Sequence, residues 1–497
     1  MTTQPPLEQT LDLTLVIDIG KSNAKLLLLD ASGSVVERHS RANASVPSPL
    51  GYAALDVHGL QAWMQDTLRR SAHAQRCAHV IASTHGAALV ALAEGALAWE
   101  PLDYEFEDVA LPGPAQTAFQ AADAGFAQTL SPELPAGLNA ARQLHWLQTS
   151  HAQAWHSTRT LLPYAQYWAW LLCGVACSEV SSLGCHTHLW NPAAGSYSSL
   201  ARAKGWDALF APLRFAWEVL GTVGTERARA WGLPAACQVH VGVHDSNACL
   251  ARYMADQGAS GPPLTLVSSG TWTVLMAPGA AAHALSPEDD MLGNVDVTGR
   301  ITPTARFMGG REFAVLLDGA SPDAATPASV QAILDSATLA IPAFSAQGGP
   351  FTAHTGVVQR AGQVLQGPLA QHLDAPERAA LAAMYCAQVT AWLASHLWRG
   401  DGPDGHTEVS GRVLVEGPLA ANTVYMRMLQ ALLPHAVCLA SSDAVEGTAR
   451  GAWMLAHWGA VATPAGLSLL PTHALRGVAA YQQSWLAAVA RLAQPDA

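Results

Sequence analysis

A polar turn lies between two apolar segments near the start of the chain. It reads Asp18-Ile19-Gly20-Lys21-Ser22-Asn23-Ala24-Lys25. Glycine lets the backbone approach an anion closely, amide and hydroxyl donors can cradle phosphate oxygens, and a carboxylate such as Asp18 can hold a hydrated Mg²⁺. An ordinary polar hairpin tip is the alternative. The segment is not a Walker loop, because it lacks the required spacing of Gly and Lys-Ser/Thr.

A second polar cluster ends an alternating apolar segment. Val239 to Val243 reads as a strand, and His244-Asp245-Ser246-Asn247 leads from it into a helix. Ligands of α/β proteins bind at the carboxyl ends of strands, so Asp245 is positioned to take a proton from a hydroxyl that attacks phosphorus. The alternative is that Asp245 or Ser246 merely caps the helix. Both interpretations stay open at this point.

Further polar side chains follow two other strand-like segments. His85 comes directly after Val80 to Thr84, and Asp103-Tyr104 comes after Trp99 to Leu102. These residue types suit a polyol pocket, where each hydroxyl needs a partner and a ring packs on the apolar face of the sugar. A satisfied core histidine and a solvated acidic loop are the alternatives.

Two similar hairpins suggest an internal duplication. One surrounds Gly20, and the other surrounds Gly270 within Ser268-Ser269-Gly270-Thr271, half the sequence length further on. Apolar strands are predicted on both sides of each turn, at Leu13 to Ile17, Ala24 to Leu29, Leu264 to Val267 and Trp272 to Met276. The pattern favours two similar domains.

The rest of the chain alternates between strand and helix patterns. Gly258-Ala259-Ser260-Gly261-Pro262-Pro263 precedes the second hairpin and is a candidate crossing between domains. Apolar helical periods follow at Ser329 to Leu339, Glu377 to Leu397 and Val424 to Leu433. We therefore predict an α/β architecture with domains at residues 1–257 and 258–497.

Length and composition narrow the class of protein. The 497 residues are 50% hydrophobic and 13% charged, a composition that supports large buried cores. A net charge of −12 without a Lys/Arg cluster would repel nucleic acid and anionic membranes. The first residues lack the features of a signal peptide, so we expect a cytoplasmic protein that binds neither nucleic acid nor membrane. The cysteines and the pair His186 and His188 lack the spacing of a disulfide framework or a zinc site.

In their order and spacing, these segments resemble the FGGY family of carbohydrate kinases over nearly the whole chain. Asp18 to Lys25 resembles the first phosphate loop of the family, and Ser268 to Trp272 resembles the second. Met308 to Glu312 is similar to its Gly-Gly turn, Glu416 to Asn422 to its adenosine loop, and Glu446 to Ala452 to its closing helix. The resemblance implies two actin-like, ribonuclease-H-like domains around a central cleft.

The resemblance also implies roles for single residues. Asp245 falls on the catalytic base, and Asp18 falls on the residue that organises Mg²⁺. Sugar contacts are implied for His85, Asp103, Tyr104 and Asn247. Contacts with ATP are implied for Gly20, Lys21, Ser22, Asn23, Lys25, Gly270, Thr271, Gly310, Gly417 and Asn422.

Three positions depart from the family pattern. Lys21 stands where the family has Thr, which adds a positive charge beside the phosphates. Glu416 stands where a Gly of the adenosine loop is expected, and Gln143 where a Lys is expected.

The resemblance implies an ATP- and Mg²⁺-dependent kinase for a hydroxyl of a ketose or related polyol. The motifs look most like a rhamnulokinase- or fuculokinase-like branch, which implies L-rhamnulose or L-fuculose, with L-ribulose or D-xylulose next. Phe106, Trp168 and Trp272 are candidates for the apolar wall that a deoxy-sugar methyl group needs. The alternatives are a kinase for another polyol, a phosphatase or ATPase on the same fold, and a sugar-binding regulator. The oligomeric state stays open, with a homodimer among the options.

Overall fold

The computed structural model describes residues 10–109, 114–123, 125–254, 263–346, 348–399, 408–442, 447–460, 466–469 and 475–492. The chain forms two compact units. The first takes the described residues within Met1–Gly258, Gly293–Ile301 and Glu446–Thr463, and the second takes those within Ala259–Leu292, Thr302–Val445 and Pro464–Ala497. The predicted crossing at 258–263 falls, except for Pro263, outside the described residues, so the boundary after residue 257 stays a prediction.

Up to residue 254, the first unit alternates short strands with helices. The strands are β1 (Leu13–Ile19), β2 (Asn23–Leu29), β3 (Val35–Ala42), β4 (Val46–Pro47), β5 (Ala53–Ala54), β6 (Cys77–Thr84), β7 (Leu89–Ala93), β8 (Ala96–Trp99), β9 (Thr160–Pro163), β10 (Trp190–Asn191), β11 (Ser196–Tyr197), β12 (Val219–Thr222), β13 (Gln238–His240) and β14 (Val243–His244). The helices are α1 (Val57–Arg70), α2 (Pro114–Ala122), α3 (Gly125–Thr129), α4 (Ala140–Ser150), α5 (Ala152–His156), α6 (Tyr164–Cys173), α7 (Val180–Leu183), α8 (Ser199–Ala203), α9 (Gly224–Trp231) and α10 (Asp245–Met254).

The later part of the chain continues the alternation. Its strands are β15 (Leu264–Ser269), β16 (Thr273–Met276), β17 (Leu292–Val295), β18 (Ile301–Phe307), β19 (Thr338–Ile341), β20 (Val357–Arg360), β21 (Gln363–Val364), β22 (Gly411–Glu416), β23 (Ala436–Ser441) and β24 (Leu467–Ser468). Its helices are α11 (Gly309–Leu317), α12 (Pro327–Asp335), α13 (Ala375–Leu397), α14 (Pro418–Ala421), α15 (Thr423–Leu432), α16 (Gly447–Ala456) and α17 (Val478–Leu492). Of these helices, α16 belongs to the first unit.

The main sheet of the first unit has the strand order β12-β13-β6-β1-β2-β3. β1 and β2 form the predicted hairpin, and β6 runs parallel to β1 on its other edge. Every residue of β1 is buried, because neighbouring strands cover both edges and α16 packs on the strand. A strand in that position is typically a continuous apolar run, which is what the sequence shows.

The second unit repeats this topology. Its main sheet includes β18, β16, β15, β22 and β23 in that order. β15 and β16 form an antiparallel hairpin, and β22 runs parallel to β15, as β6 does to β1. The repeat confirms the predicted duplication of the hairpin and the α/β class.

Two of the three predicted helical periods are confirmed as α13 and α15. The third was predicted from Ser329 to Leu339, but α12 ends at Asp335 and the strand β19 begins at Thr338. Ala337 between them has a φ of +45°, a left-handed conformation that a helix cannot continue through. The segment from Thr338 onward pairs with β20, so sheet pairing overrides the helical pattern there.

Among the described residues, no helix has both the length and the apolar character needed to cross a lipid bilayer.

Candidate active site

The parallel register of two strands brings Asp245 and His85 together. β14 lies beside β6, with His244 opposite Thr84. Asp245 and His85 are the next residues along these strands, so both occupy the same end of the sheet. The first unit therefore unites the predicted base with one predicted sugar contact.

One carboxylate oxygen of Asp245 is held by its neighbours. Oδ1 accepts hydrogen bonds from the Ser246 N–H at 2.6 Å and from the Ser246 hydroxyl at 3.2 Å, and it lies 3.2 Å from Nε2 of His244. Oδ2 accepts no hydrogen bond from the part of the chain that the structure describes, and 30% of the side chain is exposed. Oδ2 is thus the oxygen available to take a proton.

The surroundings of Asp245 favour a proton acceptor. Burial raises the pKa of Asp245, and the nearby His85 offsets only part of that shift. Burial also lowers the pKa of His85, and it lowers the pKa of His244 to about 4. Both imidazoles are therefore neutral near pH 7. A carboxylate with a raised pKa is the stronger base, and it remains ionised only above that pKa.

His244 connects Asn247 to the candidate base. Nδ2 of Asn247 lies 3.2 Å from Nδ1 of His244, and an amide nitrogen can only donate. The imidazole proton is therefore on Nε2, which faces Asp245. A Cβ at Gly86 would lie 2.9 Å from this nitrogen, so glycine permits the close packing. Sequence reasoning assigned no role to His244, and its only signal was its position directly before the base.

Two buried acceptor atoms in this region lack a protein partner. Nδ1 of His85 donates to the Gly86 carbonyl at 3.0 Å, which leaves Nε2 as an acceptor. This Nε2 and Oδ1 of Asn247 are without a hydrogen bond to any described residue. The Tyr104 ring lies beside His85, with 5.2 Å between the ring centroids. Hydroxyl groups of a ligand would satisfy both of these acceptors.

Asp103 is the centre of an adjacent ionic cluster. Its side chain is 1% exposed, and Oδ2 contacts the ammonium of Lys21 and the hydroxyl of Ser45. Oδ1 accepts from the Glu105 N–H at 2.9 Å. Burial alone would raise the pKa of Asp103, but the hydrogen bonds from Lys21 and Ser45 outweigh it and lower the pKa. Asp103 is therefore ionised near pH 7.

Gln143 joins the two segments of this pocket. Its Nε2 donates to the Ala87 carbonyl at 2.7 Å and to the Gly137 carbonyl at 2.6 Å. Gly137 in turn donates its N–H to the Tyr104 carbonyl at 2.8 Å. Where a Lys was expected from the resemblance, the amide thus links the segment after His85 to the segment that carries Tyr104.

The first loop is a tight turn between β1 and β2. The Gly20 N–H donates to the Asn23 carbonyl at 2.9 Å. Asn43 fixes the turn from outside, with its N–H on the Ser22 carbonyl at 2.9 Å and its Nδ2 on the Gly20 carbonyl at 2.8 Å. Ser22 and Asn23 are exposed, and the phosphate contacts expected of Gly20, Ser22 and Asn23 stay predictions.

The two lysines of this turn have different partners. Nζ of Lys25 lies 3.4 Å from Oδ2 of Asp18, whereas Lys21 contacts Asp103. The phosphate contact that was predicted for Lys21 stays a prediction. Lys25 remains beside the carboxylate predicted to organise Mg²⁺.

Asp18 fits a magnesium site of the kind found in kinases. Mg²⁺ in such sites is held by one or two carboxylates, with water and substrate phosphates as the other ligands. Asp18 is the penultimate residue of β1, beside the turn, and is 8% exposed. The residues that the structure describes contain no cluster of three or more His, Cys, Asp or Glu that could hold a metal ion. The role of Asp18 as a Mg²⁺ ligand stays a prediction.

Three backbone segments of the second unit meet at glycines. A Cβ at Gly310 would lie 2.3 Å from the Gly270 carbonyl oxygen, and one at Gly417 would lie 1.9 Å from the Ser269 carbonyl oxygen. Gly417 also has a φ of +81°. The Ser269 hydroxyl donates to the Glu416 carbonyl at 2.6 Å, which joins the ends of β15 and β22. We call this close packing of Gly270, Gly310 and Gly417 the glycine cradle, and the phosphate contacts expected of these residues stay predictions.

Two further predicted nucleotide contacts border this cradle. The Thr271 carbonyl accepts from the Gly310 N–H at 3.2 Å. Asn422 caps α15, and its side-chain oxygen accepts from the Tyr425 N–H at 2.9 Å. The amide nitrogen of Asn422 takes no part in this cap and is available to donate to a nucleoside. Both contacts with ATP stay predictions.

The aromatic candidates for an apolar wall lie in different surroundings. Trp168 is fully buried in the core, and Phe106 packs against Trp146 with 5.4 Å between ring centroids. Trp272 belongs to the second unit and is 36% exposed. The ring of Tyr164, which sequence reasoning did not single out, lies 5.3 Å from the His85 ring. Tyr164, like Tyr104, therefore places an aromatic ring beside the unpartnered imidazole.

Comparisons with known proteins give a consistent result. Residues 261–464 match the family description "Carbohydrate kinase FGGY, C-terminal domain". The crystal structure of a carbohydrate kinase from Novosphingobium aromaticivorans matches with a TM-score of 0.83, covering 97% of this chain and 99% of that chain, and the two sequences are 32% identical. The xylulose kinase from Rhodospirillum rubrum is 17% identical and shares the fold, with a TM-score of 0.70 over 97% of this chain and 98% of that chain.

A curated relative adds a partial match. The L-fuculokinase of Salmonella typhi is 28% identical over 286 residues, in an alignment that covers 53% of this chain and 56% of that enzyme. The match thus spans little more than half the length of that relative. The full-length structural matches confirm the predicted class of two actin-like domains. The chain therefore belongs to the FGGY family of carbohydrate kinases, enzymes that transfer a phosphoryl group to a sugar hydroxyl.

Proposed function

We propose that this protein uses ATP to phosphorylate a hydroxyl group of a ketose, with Asp245 as the general base. The observation that carries the proposal is the state of Asp245. Its Oδ2 is free of hydrogen bonds to described residues, its pKa is raised, and two unpartnered acceptor atoms lie on His85 and Asn247. A free base beside acceptors without partners suits a polyhydroxy substrate.

The chemistry follows from these atoms. Nε2 of His85 and Oδ1 of Asn247 accept hydrogen bonds from sugar hydroxyls and orient the sugar. Oδ2 of Asp245 takes the proton of the attacking hydroxyl while the hydroxyl oxygen forms a bond to the γ-phosphorus of ATP. The bond between the γ-phosphorus and the oxygen of ADP breaks, and ADP leaves with the electrons of that bond. His244 keeps the other carboxylate oxygen in position through Nε2.

Residues other than the base are assigned to neutralise the negative charge of the ATP phosphates. We assign Asp18 as the Mg²⁺ ligand in the first unit, and the glycine cradle of the second unit as a binding surface for ATP phosphates. Bound Mg²⁺ supplies positive charge to the phosphate oxygens. Lys25, 3.4 Å from Asp18, adds a second positive charge beside the first loop.

The preferred substrate is a 6-deoxyketohexose, L-fuculose or L-rhamnulose, with L-ribulose and D-xylulose next. The partial likeness to an L-fuculokinase supports this choice. The Tyr164 ring offers an apolar surface beside His85 for a methyl group. Burying one methyl group contributes only about 1 kcal/mol, so hydroxyl stereochemistry must provide most of the selection.

The test is a comparison of kcat/KM for ADP release across these four ketoses, glycerol and D-gluconate. We expect L-fuculose or L-rhamnulose to give the highest value and the ketopentoses the next. A higher value for glycerol or D-gluconate than for every ketose would overturn the substrate assignment.

A further inference from the structure

Lysine is rare in this chain, and its distribution is uneven. The sequence contains three lysines, Lys21, Lys25 and Lys204. Two of them lie in the first hairpin, yet they contact different carboxylates: Asp18 for Lys25 and Asp103 for Lys21. Neighbouring cations on one turn thus belong to separate polar clusters.

The ammonium of Lys21 is fully engaged by protein groups. Besides Asp103, Nζ lies 3.3 Å from a Glu105 carboxylate oxygen and 3.4 Å from the Ser45 hydroxyl. It also lies 5.2 Å from the centroid of the Tyr104 ring, within the range of a cation–π contact. An ammonium group has three N–H donors, and these three oxygens account for all of them.

The charge of this cluster limits what can bind there. Asp103, Glu105 and Asp245 carry three negative charges when ionised, against one positive charge on Lys21, while His85 is neutral near pH 7. A substrate carboxylate would meet excess negative charge, and the nearby ammonium is already occupied. Neutral hydroxyl groups have no such penalty.

We propose that Lys21 is a specificity-determining residue of the sugar pocket, not a phosphate ligand: it fixes Asp103 and Glu105 and makes the pocket select uncharged polyhydroxy sugars over aldonates. The proposal rests on the proposed function in taking Asp103 and Tyr104 as sugar contacts. Asp103 is 1% exposed, so without Lys21 it would be a buried charge without its counter-ion.

Amine labelling tests the location of Lys21 without requiring turnover. With three lysines in the chain, acetylation of each can be followed by mass spectrometry, and Lys204 serves as the internal reference. L-fuculose or D-xylulose is expected to slow acetylation of Lys21 at least threefold, and a nonhydrolysable ATP analogue alone to slow that of Lys25. Protection of Lys21 by the ATP analogue, with none by either sugar, would overturn the proposal.

Kinetics of Lys21→Met test its role, with Lys25→Met as the matched control. Lys21→Met removes the charged hydrogen bonds that position Asp103, and one such bond corresponds to a factor of about ten or more in an equilibrium constant. We expect Lys21→Met to raise the ketose KM by that factor and to change the ATP KM by less than twofold, while Lys25→Met raises the ATP KM. The reverse pattern would refute the proposal. Lys21→Arg keeps the ion pair and replaces Lys21→Met in the assay if the latter does not fold. Because the geometry of the guanidinium differs from that of an ammonium, Lys21→Arg should still raise the ketose KM and leave the ATP KM unchanged.

A gain of function tests the charge selection. Glu105→Gln removes one of the two carboxylates that engage Lys21. The ratio of kcat/KM for D-gluconate to that for D-xylulose is expected to rise at least threefold. An unchanged ratio would contradict charge selection by the cluster that Lys21 holds together. A wild-type enzyme inactive on every sugar would instead contradict the proposed function, and the labelling result would still locate Lys21.

Discussion

Replacement of Asp245 by asparagine distinguishes the two interpretations of this residue, as a catalytic base and as a helix cap. The carboxamide oxygen can still accept from the Ser246 N–H, which lies 2.6 Å from Oδ1 of the native carboxylate. The variant therefore keeps the local geometry but loses the proton acceptor. General base catalysis contributes roughly 10²- to 10⁴-fold, or about 3–5 kcal/mol of barrier, so we expect kcat to fall by that factor.

The sign of the stability effect follows from the pKa shift. Because burial raises the pKa of Asp245 in the folded protein, its contribution to stability is present only below the unfolded pKa and is lost as pH rises through the folded pKa. Near neutral pH the charged, buried carboxylate lowers the free energy of unfolding. Asp245→Asn is therefore expected to leave Tm unchanged or to raise it.

A matched control is available at another helix start. Asp56 caps α1 by accepting from the Gly59 N–H at 2.8 Å and pairs with Arg41 at 2.5 Å. Asp56→Asn should lower Tm and leave kcat unchanged, the reverse of the result for Asp245→Asn. A coupled assay of ADP release and a thermal melt of both variants provide the comparison. An Asp245→Asn variant that melts early and retains turnover would refute the role as a base.

The pH profile is part of the same prediction. Wild-type kcat should rise with pH through the pKa of Asp245, and this acid limb should lie above the ordinary aspartate pKa of about 3.9. Residual turnover of Asp245→Asn should lack that limb. An identical limb in both proteins would assign it to another group.

Two further predictions concern the phosphate-binding elements. Asp18→Ala should weaken the response of kcat to Mg²⁺ and leave sugar affinity without nucleotide unchanged in calorimetry; an equal loss of sugar affinity would place Asp18 in a different site. Gly417→Ala should raise the ATP KM more than tenfold, because its Cβ would lie 1.9 Å from the Ser269 carbonyl oxygen. Gly279→Ala has a similar φ of +87° and no atom within 4 Å of the added Cβ, so it controls for backbone strain, and equal ATP KM values in the two variants would contradict a role for the cradle.

The elements that carry the site were largely predictable from the sequence. Continuous apolar runs identify β1 and β15, because central strands bury both faces. The duplication follows from the Gly20 and Gly270 turns, and the end of the strand before Asp245 follows from the change to polar residues. Each of these patterns lies within a short stretch of sequence, so it can be recognised without knowledge of the fold.

The partners of Lys21 were not predictable. Ser45 and Asp103 lie 24 and 82 positions away along the chain, and only the folded sheet brings them together. The orientation of His244 likewise depends on the parallel register of β14 and β6. The spacing of residues in the sequence therefore predicts the polar positions but not the groups that these residues contact.

The most direct test of the central claim is the stoichiometry of the reaction. Wild-type protein is incubated with ATP, Mg²⁺ and L-fuculose, and ADP, inorganic phosphate and sugar phosphate are quantified by ³¹P NMR. We predict one sugar phosphate per ADP, negligible inorganic phosphate, and loss of the sugar phosphate signal in Asp245→Asn. Release of inorganic phosphate without sugar phosphate, for L-fuculose and for each of the other ketoses, would contradict a sugar kinase and indicate an ATPase.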